Sequence, residues 1–98
     1  MKLVAITNCP TGIAHTYMAA ESLEKAAKEL GVEIKVETQG SIGAENILSE
    51  KEISEAHAVI VATGVKADLS RFENKTIIEW PVGKIINEAK QAVQAAID

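Results

Sequence analysis

Two short runs, Leu3-Val4-Ala5-Ile6 and Ala58-Val59-Ile60-Val61-Ala62, are apolar at every position. Side chains alternate between the two faces of a strand, so a run without a polar residue needs cover on both sides. These runs predict central strands of a sheet clothed by helices on both faces. Val32-Glu33-Ile34-Lys35-Val36-Glu37 instead alternates apolar with charged residues, which predicts a strand whose second face is only partly covered, at one edge. Thr76-Ile77-Ile78-Glu79-Trp80 is mixed and predicts the other edge.

The segments between these strands carry helical periodicity. Ile13, Thr16, Ala20, Leu23, Ala27 and Leu30 recur at three- and four-residue steps, with Lys25, Lys28 and Glu29 off that stripe, and Gly31 supplies a stop. Ser49 and Glu52 have the spacing of a capping box, which predicts a short helix from Ser49 to about Ala56. A last helix runs from about Pro81, a favoured first-turn residue, through Val82, Ile85, Ile86, Ala89, Val93 and Ile97. Lys66 to Asn74 is consistent with a short helical turn.

Strands alternating with helices imply an α/β fold with a parallel sheet and right-handed crossovers. With the first and third predicted strands central, the simplest arrangement is an open four-stranded parallel sheet of order 2-1-3-4, helices on both faces. That order creates a topological switch at the C-terminal end of the first strand, the place where open α/β sheets bind ligands. Three loops are expected to meet there: Asn8 to His15, Thr38 to Gly43, and Thr63 to Lys66. The length of 98 residues predicts one domain, 1–98, able to bury its own core without a disulfide or metal.

Composition removes several classes of function. A formal charge of -4 and single Phe, Tyr and Trp residues argue against a nucleic-acid surface, which needs clustered basic groups and stacking platforms. Apolar runs are far shorter than a bilayer span, and Lys2 leads directly into a strand rather than a signal peptide, so no direct membrane insertion is expected. One cysteine and two histidines, His15 and His57, fall short of a Cys/His structural metal set, and no metal or cofactor is expected. Single-cysteine usage fits a cytoplasmic protein.

That cysteine, Cys9, lies in the turn between the first strand and the first helix. Gly12 allows close backbone approach there, and the first amides of the helix have no intrahelical partners, which makes an anion site. The positive end of the same helix favours a thiolate over a thiol. Thr11 and Thr16 hydroxyls can hydrogen-bond a phosphoryl group or simply cap the helix. His15 can donate to the phosphoryl group or hold the thiolate, or be a solvated first-turn residue. Against the functional reading stands a small buried core cysteine, the usual fate of a free thiol.

Within the functional reading, three chemistries compete with phosphoryl transfer through the thiol. A cysteine phosphatase has an arginine six residues after its cysteine, where this chain has His15, and its general acid would have to come from Asp68. Thiol redox chemistry lacks a resolving cysteine. A receiver-type phosphorylation domain needs acidic residues where Asn8 and Cys9 stand.

Cys9-Pro10-Thr11-Gly12-Ile13-Ala14-His15-Thr16-Tyr17-Met18-Ala19-Ala20 resembles the phosphocysteine loop and first helix of the fructose-type enzyme IIB domains of the bacterial sugar phosphotransferase system. The resemblance continues through Val36-Glu37-Thr38-Gln39-Gly40-Ser41 and Arg71-Phe72. It implies a phosphoryl relay in which Cys9 is the catalytic residue and Pro10, Thr11, Gly12, Ile13, Ala14, His15 and Thr16 form the phosphate-binding segment. Cys9 would accept phosphate from a phosphohistidine on a IIA domain and pass it to a sugar held by a membrane IIC domain, giving fructose 1-phosphate for a fructose member. The implied protein is a phosphocysteine sugar phosphotransferase, held at the inner face of the membrane through its IIC component. It is either a separate IIB protein or one domain of a larger chain.

Overall fold

A computed structural model of the chain describes residues 1–8, 13–40, 43–63, 70–72 and 75–98. Its elements are β1 (Lys2–Asn8), α1 (Ile13–Leu30), β2 (Glu33–Gly40), β3 (Gly43–Glu45), α2 (Glu50–Glu55), β4 (Val59–Thr63), a 3-10 turn (Ser70–Phe72), β5 (Ile77–Pro81) and α3 (Val82–Ile97). The described strands form one sheet of order β3-β2-β1-β4-β5. β1 pairs parallel with β2 and β4, and β4 parallel with β5. These four are the predicted strands in the predicted 2-1-3-4 order.

The addition is β3, which pairs antiparallel with the end of β2 through Thr38 with Glu45 and Gln39 with Ala44. Residues 38–40 were expected in a loop. They instead continue the ladder beyond Glu37, because Thr38 and Gln39 find partners on both sides, Thr7 and Asn8 on β1 and the β3 residues opposite. The expected open edge at β2 is therefore closed at its C-terminal end.

Alternation along the strands divides the core into two layers. Leu3 and Ala5 of β1, Val36 of β2, and Ile60 and Ala62 of β4 face α1 and α3, meeting Ala19, Leu23, Ala27, Ile85, Ala92 and Val93. Val4, Ile6, Val59 and Val61 face the opposite way, onto Leu48, Ile53, Ala56 and Phe72. Each fully buried Leu, Ile or Phe here removes enough apolar surface from water to stabilise the fold by about 1.5–3 kcal/mol. β1 and β4 are buried on both faces, as their uninterrupted apolar runs require.

The helix ends follow local chemistry. Gly31 takes φ of 74° after α1, its N–H bonds Lys28 O and the Val32 N–H bonds Ala27 O, a paired closure that satisfies the last carbonyls. Ser49 caps α2 through the Glu52 N–H at 3.1 Å, and the Glu52 side chain accepts the Ser49 N–H at 2.9 Å. At the other end of α2, Lys75 Nζ donates to the carbonyls of Ser54 and Ala56 at 2.9 and 3.0 Å, placing a cation where the helix dipole is negative. Pro81 ends β5 and serves as the cap of α3 rather than its first residue. Inside α3, Glu88 departs from helical geometry, and its carboxylate accepts a hydrogen bond from Trp80 Nε1 at 3.0 Å.

Candidate functional site at the C-terminal edge of the sheet

Strand register brings four strand ends to one level. Asn8 lies opposite Gln39 on β2 and Thr63 on β4, and Thr63 lies opposite Pro81 on β5. Asn8 is the last residue of β1, and Cys9 follows it in the chain. From β1 the chain goes through α1 to β2 on one side; β4 flanks the other. The end of β1 is thus the switch point where the sheet diverges, as its strand order predicts.

Cys9, Pro10, Thr11 and Gly12 lie outside the described residues. Ile13, Ala14, His15 and Thr16 form the first turn of α1, whose backbone is described and whose side chains at these positions are not. That turn contains no acidic residue. The positive end of an 18-residue helix is therefore left without an internal carboxylate to offset it, which suits an anion arriving from outside. In the third expected loop, Gly64, Val65 and Lys66 lie outside the described residues, as does Asp68. His57 is exposed and precedes β4, and its N–H bonds Lys2 O at the start of β1. It therefore sits at the opposite edge of the sheet from Asn8.

A chain of polar side chains, unforeseen from sequence, runs along the strand ends. Glu37 is 2% exposed although its strand alternates like a half-solvated one. Its Oε1 accepts the Leu48 N–H at 2.9 Å and its Oε2 accepts Gln39 Nε2 at 2.6 Å. Gln39 Oε1 in turn accepts Asn8 Nδ2 at 3.2 Å. Glu37 is covered because the segment after β3 folds back over it, setting Leu48 into the same layer as Ile6, the register partner of Glu37. The available sequence signal was the polar Glu37-Thr38-Gln39 cluster directly following the apolar positions of β2. On the other face, Thr7 and Thr38 are buried at the same end, and Thr38 Oγ1 has no hydrogen-bond partner among the described residues.

Toward the opposite edge the described residues form ion pairs at the surface. Lys35 Nζ pairs with Glu52 at 2.8 Å, and that ammonium, with the Ser49 N–H, holds the Glu52 carboxyl at about 2 from an ordinary 4.5. Among the described residues no three metal-ligating side chains cluster, and no helix is long and apolar enough to cross a membrane.

The sequence matches the family described as "PTS system, Lactose/Cellobiose specific IIB subunit" over residues 4–95. It is 48% identical over 96 residues to a PTS system fructose-specific EIIB'BC component of Xanthomonas campestris, a match covering 98% of this chain and 17% of that protein. It thus spans about a sixth of that relative's length. A PTS system fructose-like EIIB component 2 of Escherichia coli is 46% identical, with 99% of this chain and 92% of the relative covered. Among solved structures, a domain from the fructose-specific IIABC component of Borrelia burgdorferi superposes with a TM-score of 0.94 at 46% identity, over 97% of this chain and 91% of the other. Sheet order, switch point and relatives agree that the chain belongs to the IIB family of the sugar phosphotransferase system and is a phosphotransferase domain of the kind found in its fructose-specific members.

Proposed function

We propose that Cys9 is the phosphoryl carrier of this domain. The observation that supports this best is the position of Cys9, directly after the strand end where β1, β2 and β4 converge and four residues before a helix with no acid in its first turn. In the first step the Cys9 thiolate attacks the phosphorus of a phosphohistidine on a IIA domain; an S–P bond forms, the N–P bond breaks, and the imidazole nitrogen leaves with the electron pair. In the second step a sugar hydroxyl attacks the same phosphorus. The O–P bond forms, the S–P bond breaks, the hydroxyl proton is lost and the thiolate is regenerated.

The segment Pro10, Thr11, Gly12, Ile13, Ala14, His15 and Thr16 binds the phosphoryl oxygens in this reading, with backbone amides as the main donors and no cofactor or metal required. The relatives' names support a choice of partners: EIIB'BC and EIIABC components carry IIB beside IIC, or beside IIA and IIC. We therefore assign a phosphorylated IIA domain as donor and a membrane IIC transporter as the protein that presents sugar, with the domain on the cytoplasmic side. Fructose, giving fructose 1-phosphate, is the sugar that fits the relatives' names.

The test is transfer of labelled phosphate from a phosphorylated fructose-type IIA protein. One equivalent of iodine-sensitive label on the wild-type chain, and none on Cys9→Ser, is the expected result. Comparable labelling of Cys9→Ser would place the phosphate elsewhere and overturn the assignment.

A further inference from the structure

We propose that Glu37 is a positioning residue for the chemistry of Cys9, acting through Gln39 and Asn8. The proposal rests on the reading of Cys9 as phosphoryl carrier and adds to it the group that sets the polarity of the segment leading into the cysteine.

The argument starts from donor and acceptor inventory. Both Glu37 oxygens accept, one from the Leu48 N–H and one from Gln39 Nε2. A carboxylate offers only acceptors, so the Gln39 amide has to turn its NH₂ group toward Glu37 and its oxygen toward Asn8. Asn8 then has to turn its NH₂ group toward Gln39, as the 3.2 Å bond from Nδ2 records. The Asn8 oxygen is then the end of the amide that Gln39 does not engage, and Cys9 follows Asn8 in the chain. An asparagine oxygen in that position is suited to accept a backbone N–H from the residues that follow, the turn-forming habit of this side chain. Glu37 thus decides, two side chains away, whether Asn8, the residue before Cys9 in the chain, offers an acceptor or a donor on the side not engaged by Gln39.

The bond at Leu48 serves a different end. It ties the carboxylate to the segment that covers it, so Glu37 itself is held still. A charge-assisted anchor at one end and two amides with no freedom to flip at the other make the relay directional rather than adaptable.

Glu37→Gln tests this while keeping the bonds to Leu48 and Gln39. The new amide keeps its oxygen on the Leu48 N–H and turns its NH₂ group to Gln39, which must reverse, and Asn8 reverses in turn. The double variant Glu37→Gln/Gln39→Glu restores the original direction, because the carboxylate at 39 accepts from both the amide at 37 and Asn8. Two readouts are used: the rate of phosphorylation by phosphorylated IIA, and the pH profile of Cys9 alkylation by iodoacetamide. In Glu37→Gln, transfer should fall about tenfold or more, with a shifted alkylation profile; the double variant should recover both to within about threefold.

Unchanged readouts in Glu37→Gln overturn the proposal, and so does a loss that the double variant fails to recover, since the effect would then not follow the direction of the amides. Should Glu37→Gln not fold, Gln39→Met cuts the relay while leaving the Leu48 anchor. It should show the same two effects, and wild-type behaviour of that variant overturns the proposal. If wild-type Cys9 takes no phosphate, the carrier reading fails while the alkylation arm still decides the role of Glu37.

Discussion

Glu52 accepts from Lys35 Nζ at 2.8 Å and from the Ser49 N–H at 2.9 Å, and its pKa drops from 4.5 to about 2. A carboxyl whose folded pKa is depressed contributes stability that is fully present above the unfolded value and is lost as pH falls through the folded one. Glu52→Gln should therefore be less stable than the wild type at pH 7, with the gap closing between pH 4.5 and about 2. Urea midpoints across that range check it; a gap that stays constant would mean the ion pair contributes nothing. The effect is modest because both side chains are 35% or more exposed and water screens them. Residue chemistry of this kind was partly legible: Ser49 and Glu52 announce themselves by spacing. Glu37 did not, because alternation tells which face a side chain takes and says nothing about what later segment covers that face.

At the level of elements, the helix boundaries rest on two different devices whose removal should cost similar amounts. Gly31→Ala meets no steric obstacle, since nothing lies within 4 Å of the added methyl, so the cost is the left-handed backbone alone. It is expected to lower stability by about 1 kcal/mol. Ser49→Ala loses the cap of α2 and should cost about 1 kcal/mol as well. Chemical denaturation of both variants measures this, and a neutral Gly31→Ala would show that α1 ends without need of the closure at 27–32. The long helices and the apolar strands were readable because periodicity over many positions dominates single-residue preference. β3 was not: Gly43-Ala44-Glu45 contains no β-branched or aromatic residue, and its strand character comes from pairing with Gln39 and Thr38. Tertiary pairing, rather than propensity, makes it a strand.

For the whole molecule, strand order was recoverable because two fully apolar runs can only be central, and a central first strand fixes the switch point beside Cys9. In the proposed relay that switch point sets where partners dock, since a phosphoryl group passes only between atoms brought to about 3–3.5 Å. Tyr17 and Met18, 40% and 48% exposed on α1 just beyond its first turn, are apolar surface near that end. Of the apolar residues near Cys9 in the chain, Pro10, Ile13 and Tyr17, only Tyr17 has a described side chain. Chemical-shift mapping with unphosphorylated IIA should perturb Tyr17 and Met18 and leave His57, at the other edge, unmoved. Perturbations centred on His57 would reject this docking face. Contact should be brief, as small interfaces between successive partners are.

Among the described residues the two faces of the sheet are unequally clothed, with α1 and α3 on one side and the six-residue α2 with a three-residue turn on the other. Local opening in a folded protein begins where few apolar contacts must be broken, so the α2 side is the first to admit solvent. Its amides should exchange with deuterium well before those of β1 and β4. The Leu48 N–H that anchors Glu37 belongs to this side, so its exchange rate should report how often water reaches a carboxylate that is otherwise buried.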